Sequence, residues 1–225
     1  SRSELSPFVG TLRASGYSGA VQLGFDPDRD RAAADFLRAN GVTMEAPPCK
    51  EQAGARRTKA RTSLAQRLGS LTLRRWGWYK QWITERKYER VWLLDVRDVV
   101  FQADPFKTLP GDLTLGLFLD RSYLSKGMED MVGRCVARRA WKSMEAAKAP
   151  AVSGGIIAGT APGILAMCEG MIHLAEDAMK KGQGCYATDQ HLVTYFAYQN
   201  GYWKAGQKAD RMVFPAFDGP AVTVH

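Results

Sequence analysis

Length, composition and charge are those of an ordinary folded domain. The chain has 225 residues, of which 45% are hydrophobic and 24% charged, with six Trp, eight Tyr and nine Phe to fill a core. These values are typical of a single globular domain. No stretch approaches the roughly 20 apolar residues of a membrane-spanning helix, which excludes a bilayer span within these residues. The chain begins with Ser1 rather than Met, so the question of a membrane anchor in an upstream segment stays open.

The net charge of +8 comes from one segment of the chain. Eleven Lys and Arg residues lie between Arg56 and Arg90, against Glu85 and Glu89. Such a field attracts a polyanion, a diphosphate or an acidic acceptor. A solvated loop and helix face is an equally good interpretation of any one of these residues.

The four cysteines are widely spaced and form no CxxC pair, and with only three histidines they do not make a zinc site. They are either buried thiols or include one disulfide formed in a secretory compartment. The residues are Cys49, Cys135, Cys168 and Cys185.

Helices and strands alternate along the first part of the chain. Apolar side chains at helical spacing predict a helix over 4–15, with Leu5, Phe8, Val9 and Leu12 on its buried face. A strand over 20–25, a helix over 29–39 and a strand over 42–45 follow. Strand, helix and strand in that order indicate parallel strands joined by a crossover helix.

A polar, basic segment over 47–63 is predicted to be a mobile loop, after which alternation resumes. The helix over 64–87 carries a stripe of large apolar residues, namely Leu68, Leu71, Trp76, Tyr79 and Ile83. Further strands are predicted within 90–101, over 113–119 and over 152–158, and further helices over 164–182 and 189–198. The pattern predicts one α/β domain over 1–225.

Carboxylates follow the most apolar strand. The run Val91–Leu94 leads into Asp95 and Asp98, and the strand over 113–119 leads into Asp120. Two such close carboxylates repel one another, which a divalent cation such as Mg²⁺ or Mn²⁺ relieves. Alternatively, Arg97 neutralises the two acids directly.

Three segments resemble GT-A glycosyltransferases in order and spacing. YERVWLLDVRDVVFQADPF (88–106) is similar to the strand and DxD-type metal motif of that family, SGGIIAGTAPGILAM (153–167) to its strand, turn and helix, and TDQHLVTYF (188–196) to a later helix that opens with Asp-Gln. The resemblance covers about residues 5–200. It implies a single Rossmann-type domain with a mostly parallel central sheet flanked by helices.

The resemblance also implies roles for individual residues. Asp98 matches the acid that binds the Mn²⁺ or Mg²⁺ bridging the donor diphosphate, Asp95 matches its partner, and His225 matches a metal-binding histidine. Ser153, Gly154 and Gly155 match the segment that lines the sugar site, and Asp189 and Gln190 match a pair that faces the transferred sugar or the acceptor. From charge and position, Arg75, Lys80 and Arg97 are expected to contact the donor phosphates, and Asp189 and Asp120 are candidate general bases.

The implied donor is a UDP- or GDP-sugar, and the implied acceptor is a hydroxyl of a glycan, protein or lipid. A secretory lumen such as the Golgi is expected if the source is eukaryotic, and the cytoplasm if it is bacterial. Two departures stand out. The acids are spaced D-x-R-D rather than D-x-D, and the strand that precedes the first helix in the family is either upstream of Ser1 or replaced by a different construction.

Three other interpretations of the sequence compete with that of a transferase. A nucleic-acid-binding module would use the basic segment with Trp76, Trp78, Tyr79 and Trp82, since basic residues neutralise phosphates and aromatic rings stack on bases. A HAD-like phosphatase also has an apolar strand that ends in Asp, but Arg97 stands where its second Asp is needed. The third alternative is an inactive relative that only binds glycans.

Overall fold

The computed structural model describes residues 1–46, 71–97, 99–119, 138–146, 150–180, 189–202, 211–215 and 222–224. In chain order the described elements are α1 (Arg2–Ala14), β1 (Val21–Gly24), α2 (Arg31–Ala39), β2 (Val42–Glu45), α3 (Leu71–Arg86), β3 (Arg90–Leu94), β4 (Val99–Phe101), β5 (Leu115–Leu119), α4 (Arg138–Ala146), β6 (Val152–Thr160), α5 (Ala161–Lys180), α6 (Asp189–Gln199), β7 (Arg211–Pro215) and β8 (Val222–Val224). The chain is therefore mixed α/β, as expected. In the part of the chain that the structure describes, no helix is long and apolar enough to cross a membrane.

The chain forms two compact units. The first unit consists of Ser1–Ala60, Asp95–Pro110 and Phe217–His225, and the second unit of Arg61–Leu94 and Gly111–Ala216. The expectation of one catalytic domain over 1–225 stays a prediction. The expected loop over 47–63 lies outside the described residues.

The first unit confirms the four elements predicted for the start of the chain. The four apolar side chains predicted for the inner face of α1 are buried. Asp30 begins α2, because its carboxylate accepts a hydrogen bond from the amide of Ala33 at 3.0 Å. Strands β1 and β2 are parallel, with Val21 opposite Val42. A second, antiparallel pair in this unit joins β4 to β8.

A half-buried arginine, Arg13, holds α1 to the turns around it through hydrogen bonds that the sequence did not indicate. The guanidinium of Arg13 donates to the carbonyl oxygens of Tyr17, Gly19 and Asn40 at 3.0 Å and to that of Gly41 at 3.2 Å. Its partners are all backbone atoms, which have no signature in the sequence. Four of the five guanidinium donors are thus satisfied within the fold.

The larger sheet lies in the second unit and has the strand order β3-β6-β5-β7. Strand β6 is antiparallel to both neighbours, whereas β5 and β7 are parallel. The expectation of a mostly parallel sheet is therefore wrong for the described pairings. Strands β3, β5 and β7 do share one direction, but β6 is inserted between β3 and β5 in the opposite direction. An apolar run such as that of β6 is equally compatible with either direction.

Helices α3 and α5 cover this sheet. Trp76 and Ile83 of α3 are buried in the core, and Tyr79 packs against it, which confirms the part of the predicted stripe that the structure describes. Ile164, Met167 and Met171 of α5 are fully or almost fully buried, as their helical spacing predicted. Leu68 and the side chain of Leu71 lie outside the described residues.

Two described elements of this unit were not predicted from the sequence. Helix α4 buries Trp141 and Met144, but its other residues include Arg138, Arg139, Lys142 and Glu145, which conceal the apolar spacing. Strand β7 forms the edge beside β5, with Leu117 opposite Val213. Its five residues include a proline, which argues against a strand unless it lies at an edge.

Small residues set the distance between α5 and the sheet. A Cβ atom added at Gly163, near the start of α5, would clash with the backbone carbonyl of Thr114. Gly77 of α3, in contrast, has open space around it. We expect Gly163→Ala to lower the free energy of unfolding by about 1–3 kcal/mol through overpacking, and Gly77→Ala to raise it by about 0.5–1 kcal/mol through helix propensity. Urea unfolding of both variants tests this, and equal effects would contradict the packing described here.

The buried thiol of Cys168 gives a pH-dependent prediction. Burial raises the pKa of the free Cys168 thiol from 9.0 to about 12, despite the opposing influence of Lys80. In the unfolded chain the thiol ionises near pH 9, while in the folded chain it stays neutral. Its contribution to stability is therefore complete below about pH 9 and is lost as the pH rises towards 12. The other three cysteines lie outside the described residues.

The measurement compares urea unfolding of the wild type and Cys168→Ala between pH 8 and 11. We expect the stability advantage of the wild type to shrink by about 1.4 kcal/mol per pH unit above pH 9. An advantage that stays constant would show that the thiol is accessible to water.

Candidate active site

One edge of the larger sheet collects the ends of three strands. Strands β3, β5 and β7 run in the same direction, so their last residues Leu94, Leu119 and Pro215 lie at the same edge. Because β6 runs in the opposite direction, its first residue, Val152, lies at this edge opposite Leu119. In open α/β sheets, ligands bind outside the carboxyl ends of the strands. A ligand site is therefore expected at this edge.

The first turn of α6 packs directly on the start of β6. A Cβ atom added at Gly154 would lie 3.1 Å from the backbone N and Cα of Gln190 and 3.4 Å from Cγ of Asp189. The hydroxyl of the buried Thr194 accepts a hydrogen bond from the amide of Val152 at 3.0 Å and donates one to its carbonyl at 3.3 Å. Only a residue without a side chain fits at position 154 without moving α6.

An arginine from α3 joins these two elements. Nη2 of Arg75 donates to the carbonyl oxygen of Gly154 at 2.5 Å and forms an ion pair with Oδ2 of Asp189. The two side chains are only 14% and 9% exposed. The guanidinium also lies over the ring of Trp76, 5.7 Å from its centroid. The other carboxylate oxygen, Oδ1, accepts the amide hydrogen of Gln190 at 2.9 Å.

We call Arg75, Gly154, Asp189 and Gln190 the α6 cluster. All four were proposed as site residues from three separate segments of the sequence, and the fold brings them together in the second unit. Ser153 and Gly155 flank Gly154, and both are half-buried. The hydroxyl of Ser153 accepts a hydrogen bond from the amide of Gly155 at 3.2 Å. Gly154 and Asp189 are buried, whereas Arg75 and Gln190 are half-buried, and the primary amide of Gln190 is a group that hydrogen-bonds sugar hydroxyls.

The electrostatics of the cluster depend on the ion pair. A buried carboxylate without a partner is strongly destabilised, and the guanidinium of Arg75 offsets that cost. The ion pair and the hydrogen bond to Gln190 engage both oxygens of Asp189. Such a carboxylate is better suited to accept hydrogen bonds in a fixed geometry than to act as a general base.

Lys80 lies apart from the α6 cluster. Its ammonium is 2.9 Å from the carboxylate of Glu169 on α5, and both side chains are about half exposed. This contact lowers the pKa of Glu169 below its ordinary value, mainly through the hydrogen bond and the charge of Lys80. The proposed role of Lys80 as a phosphate contact stays a prediction.

The residues proposed to bind a metal belong to the first unit. Asp95 follows the last residue of β3 and is half-buried. Arg97 is 72% exposed, and its guanidinium is 3.8 Å from the carboxylate of Glu4. Such an exposed pair contributes little to stability. Asp98, His225 and the candidate base Asp120 lie outside the described residues.

The proposed metal ligands are the carboxylates of Asp95 and Asp98 and the imidazole of His225. Carboxylate oxygen and imidazole nitrogen together suit Mn²⁺ and related divalent ions. Within the described ranges no three His, Cys, Asp or Glu side chains lie close enough together to hold a metal ion.

Sequence reasoning missed Thr194 as part of this site. Its hydroxyl is fully buried and fixes Val152 at the start of β6. The available signal was a threonine within the apolar face of α6, beside Leu192, Val193 and Ala197. A buried polar side chain among apolar neighbours needs a partner, and here the partner is the strand backbone.

Neither the protein-family models nor the curated proteins compared with this chain match it.

The ion pair of the α6 cluster gives a stability prediction. We expect Arg75→Met to lower the free energy of unfolding by about 3–5 kcal/mol, because it leaves the carboxylate of Asp189 buried without its partner. Asp189→Asn in the Arg75→Met background is expected to recover part of that loss, because it removes the charge. Urea unfolding of the single and double variants measures the coupling between the two residues.

The matched control is the second ion pair between α3 and another helix. Lys80→Met and Glu169→Gln remove an exposed pair, for which we expect coupling of about 1 kcal/mol or less. Coupling between Arg75 and Asp189 that is no larger than this would contradict the buried pair described above.

Proposed function

We propose that the chain is a GT-A-type glycosyltransferase that transfers a sugar from a nucleotide-diphosphate sugar to an acceptor hydroxyl. The observation that carries the proposal is the α6 cluster, with its buried Arg75–Asp189 pair against Gly154. Two segments chosen for their resemblance to the family supply Gly154, Asp189 and Gln190, and Arg75 was chosen from its charge and position. The cluster includes the start of β6 at the carboxyl edge of β3 and β5.

The donor diphosphate is assigned to the residues that follow β3. Asp95, Asp98 and His225 would hold a divalent Mn²⁺ or Mg²⁺. When bound, such an ion stabilises the negative charge that develops on the departing nucleoside diphosphate. Arg97 adds a positive charge next to Asp98 in the chain. Lys80 is kept as a second candidate phosphate contact.

The transferred sugar is assigned to the α6 cluster and to Ser153 and Gly155. Asp189 accepts a hydrogen bond from a sugar hydroxyl in a fixed direction, and Gln190 donates to or accepts from a second one. Gly154 lets the first turn of α6 pack directly on β6, which sets the position of Asp189 and Gln190. Since both oxygens of Asp189 are engaged, Asp120 is the better of the two candidate bases for an inverting reaction.

The nucleic-acid alternative gains no support from the three tryptophans of α3. Trp76, Trp78 and Trp82 are each at most 9% exposed. Stacking on bases requires an accessible ring face.

The proposed donor is a UDP- or GDP-sugar, and the proposed acceptor is a glycan, protein or lipid. The proposed compartment is a secretory lumen such as the Golgi or the cytoplasm, according to the source.

The test is thermal unfolding with UDP and GDP, each with and without Mn²⁺. A ligand that binds only the folded state stabilises it by about 2.7 kcal/mol at a hundredfold excess over its Kd. We expect one base to give a Mn²⁺-dependent rise in Tm that Asp98→Ala abolishes. The matched control is Asp112→Asn, an exposed acid outside the proposed site that should respond like the wild type. A wild type that responds to neither nucleotide in the presence of Mn²⁺ would contradict the proposal.

A further inference from the structure

Arg75 has two possible roles that the sequence does not separate. As a basic residue on the helix before the metal strand, it was expected to bind donor phosphate. In the fold, however, its guanidinium is directed at Gly154 and Asp189 and is only 14% exposed. A buried guanidinium that already contacts a backbone carbonyl and a carboxylate stabilises the fold. It is less accessible to a phosphate than an exposed arginine.

We propose that Arg75 is a positioning residue, which fixes the first turn of α6 on the start of β6 and thereby sets the sugar end of the site. The inference rests on the proposed function and assigns Arg75 to the sugar rather than to the diphosphate. One guanidinium nitrogen joins a strand carbonyl to a helix carboxylate, so α3, β6 and α6 meet at a single point.

The geometry around Gly154 carries the same conclusion independently. Gln190 N and Cα are within 3.1 Å of the position that a Cβ atom would occupy, so α6 is seated as closely as a glycine allows. A methyl group there displaces the first turn of α6 by a few tenths of an ångström and leaves every charge unchanged. A displacement of about 1 Å at reacting groups reduces turnover about a hundredfold, so a smaller displacement is expected to weaken sugar positioning in proportion.

The two roles differ in which ligand they affect. An arginine that contacts phosphate strengthens the binding of UDP and of UDP-sugar by the same factor. A residue that positions the sugar end strengthens only the binding of the sugar conjugate. The comparison between a nucleoside diphosphate and its sugar conjugate therefore separates the roles, and a general loss of stability would not produce this pattern.

The experiment is isothermal titration calorimetry with Mn²⁺ present, using UDP, UDP-glucose, UDP-galactose, GDP and GDP-mannose. For the pair that binds the wild type, we expect Arg75→Met to change the Kd of the diphosphate by less than twofold. We expect it to raise the Kd of the sugar conjugate about tenfold or more, the size of one lost charge-assisted hydrogen bond. Arg75→Lys should behave similarly, because an ammonium cannot reproduce the guanidinium geometry.

Gly154→Ala provides an arm that keeps the ion pair, in case Arg75→Met does not fold. It should show the same selective loss of sugar-conjugate binding. Arg86→Met, which removes an exposed charge from the same helix, and Gly77→Ala, where the added methyl meets open space, should bind both ligands like the wild type.

Two results would overturn the inference while leaving the proposed function standing. One is equal weakening of the diphosphate and its sugar conjugate in the Arg75 variants, which identifies a phosphate contact. The other is unchanged sugar-conjugate binding in Gly154→Ala. A wild type that binds none of the five ligands would instead remove the proposed function, and the inference with it.

Discussion

The second unit depends on one buried ion pair. The guanidinium of Arg75 and the carboxylate of Asp189 are both almost fully removed from water, and neither charge is tolerated there alone. Because the same guanidinium nitrogen also binds the carbonyl of Gly154, the pair fixes a helix, a strand and a second helix at one point. Burial of apolar side chains such as Trp76, Ile157 and Ile164 stabilises this unit, while the ion pair specifies how α6 packs on the sheet.

The reversed strand β6 brings the ion pair to a position where chemistry is expected. Since β6 is antiparallel to β3 and β5, its first residues lie at the edge where those strands end. Gly154 therefore meets the first turn of α6 beside the carboxyl ends of β3 and β5, and Thr194 fixes Val152 next to it. A strand in the other direction would place Thr160 at this edge and would separate Gly154 from it. We assign the sugar to this edge because three features meet there. They are the direction of β6, the glycine at position 154 and the Arg75–Asp189 ion pair.

Periodic patterns predicted the local structure, but not the long-range contacts. The spacing of Leu5, Phe8, Val9 and Leu12 encodes the buried face of α1, and the apolar run before Asp95 encodes β3, since burial alone decides both. The direction of β6 depends on hydrogen bonds to strands far away in the chain, which no local pattern records. For the same reason Arg75 was recognised as a candidate by its charge, but its partners, a backbone carbonyl and a carboxylate more than a hundred residues away, were not. Helix α4 was missed because charged residues surround Trp141 and Met144.

The most direct test of the account is hydrogen exchange with Mn²⁺ and either a nucleoside diphosphate or its sugar conjugate. Exchange reports local opening segment by segment. We predict additional protection, seen only with the sugar conjugate, at 152–155 on β6 and 189–191 on α6. Sugar-dependent protection confined to other segments, or none with any UDP- or GDP-sugar, would contradict the assignment of the sugar site to the Arg75–Asp189 pair.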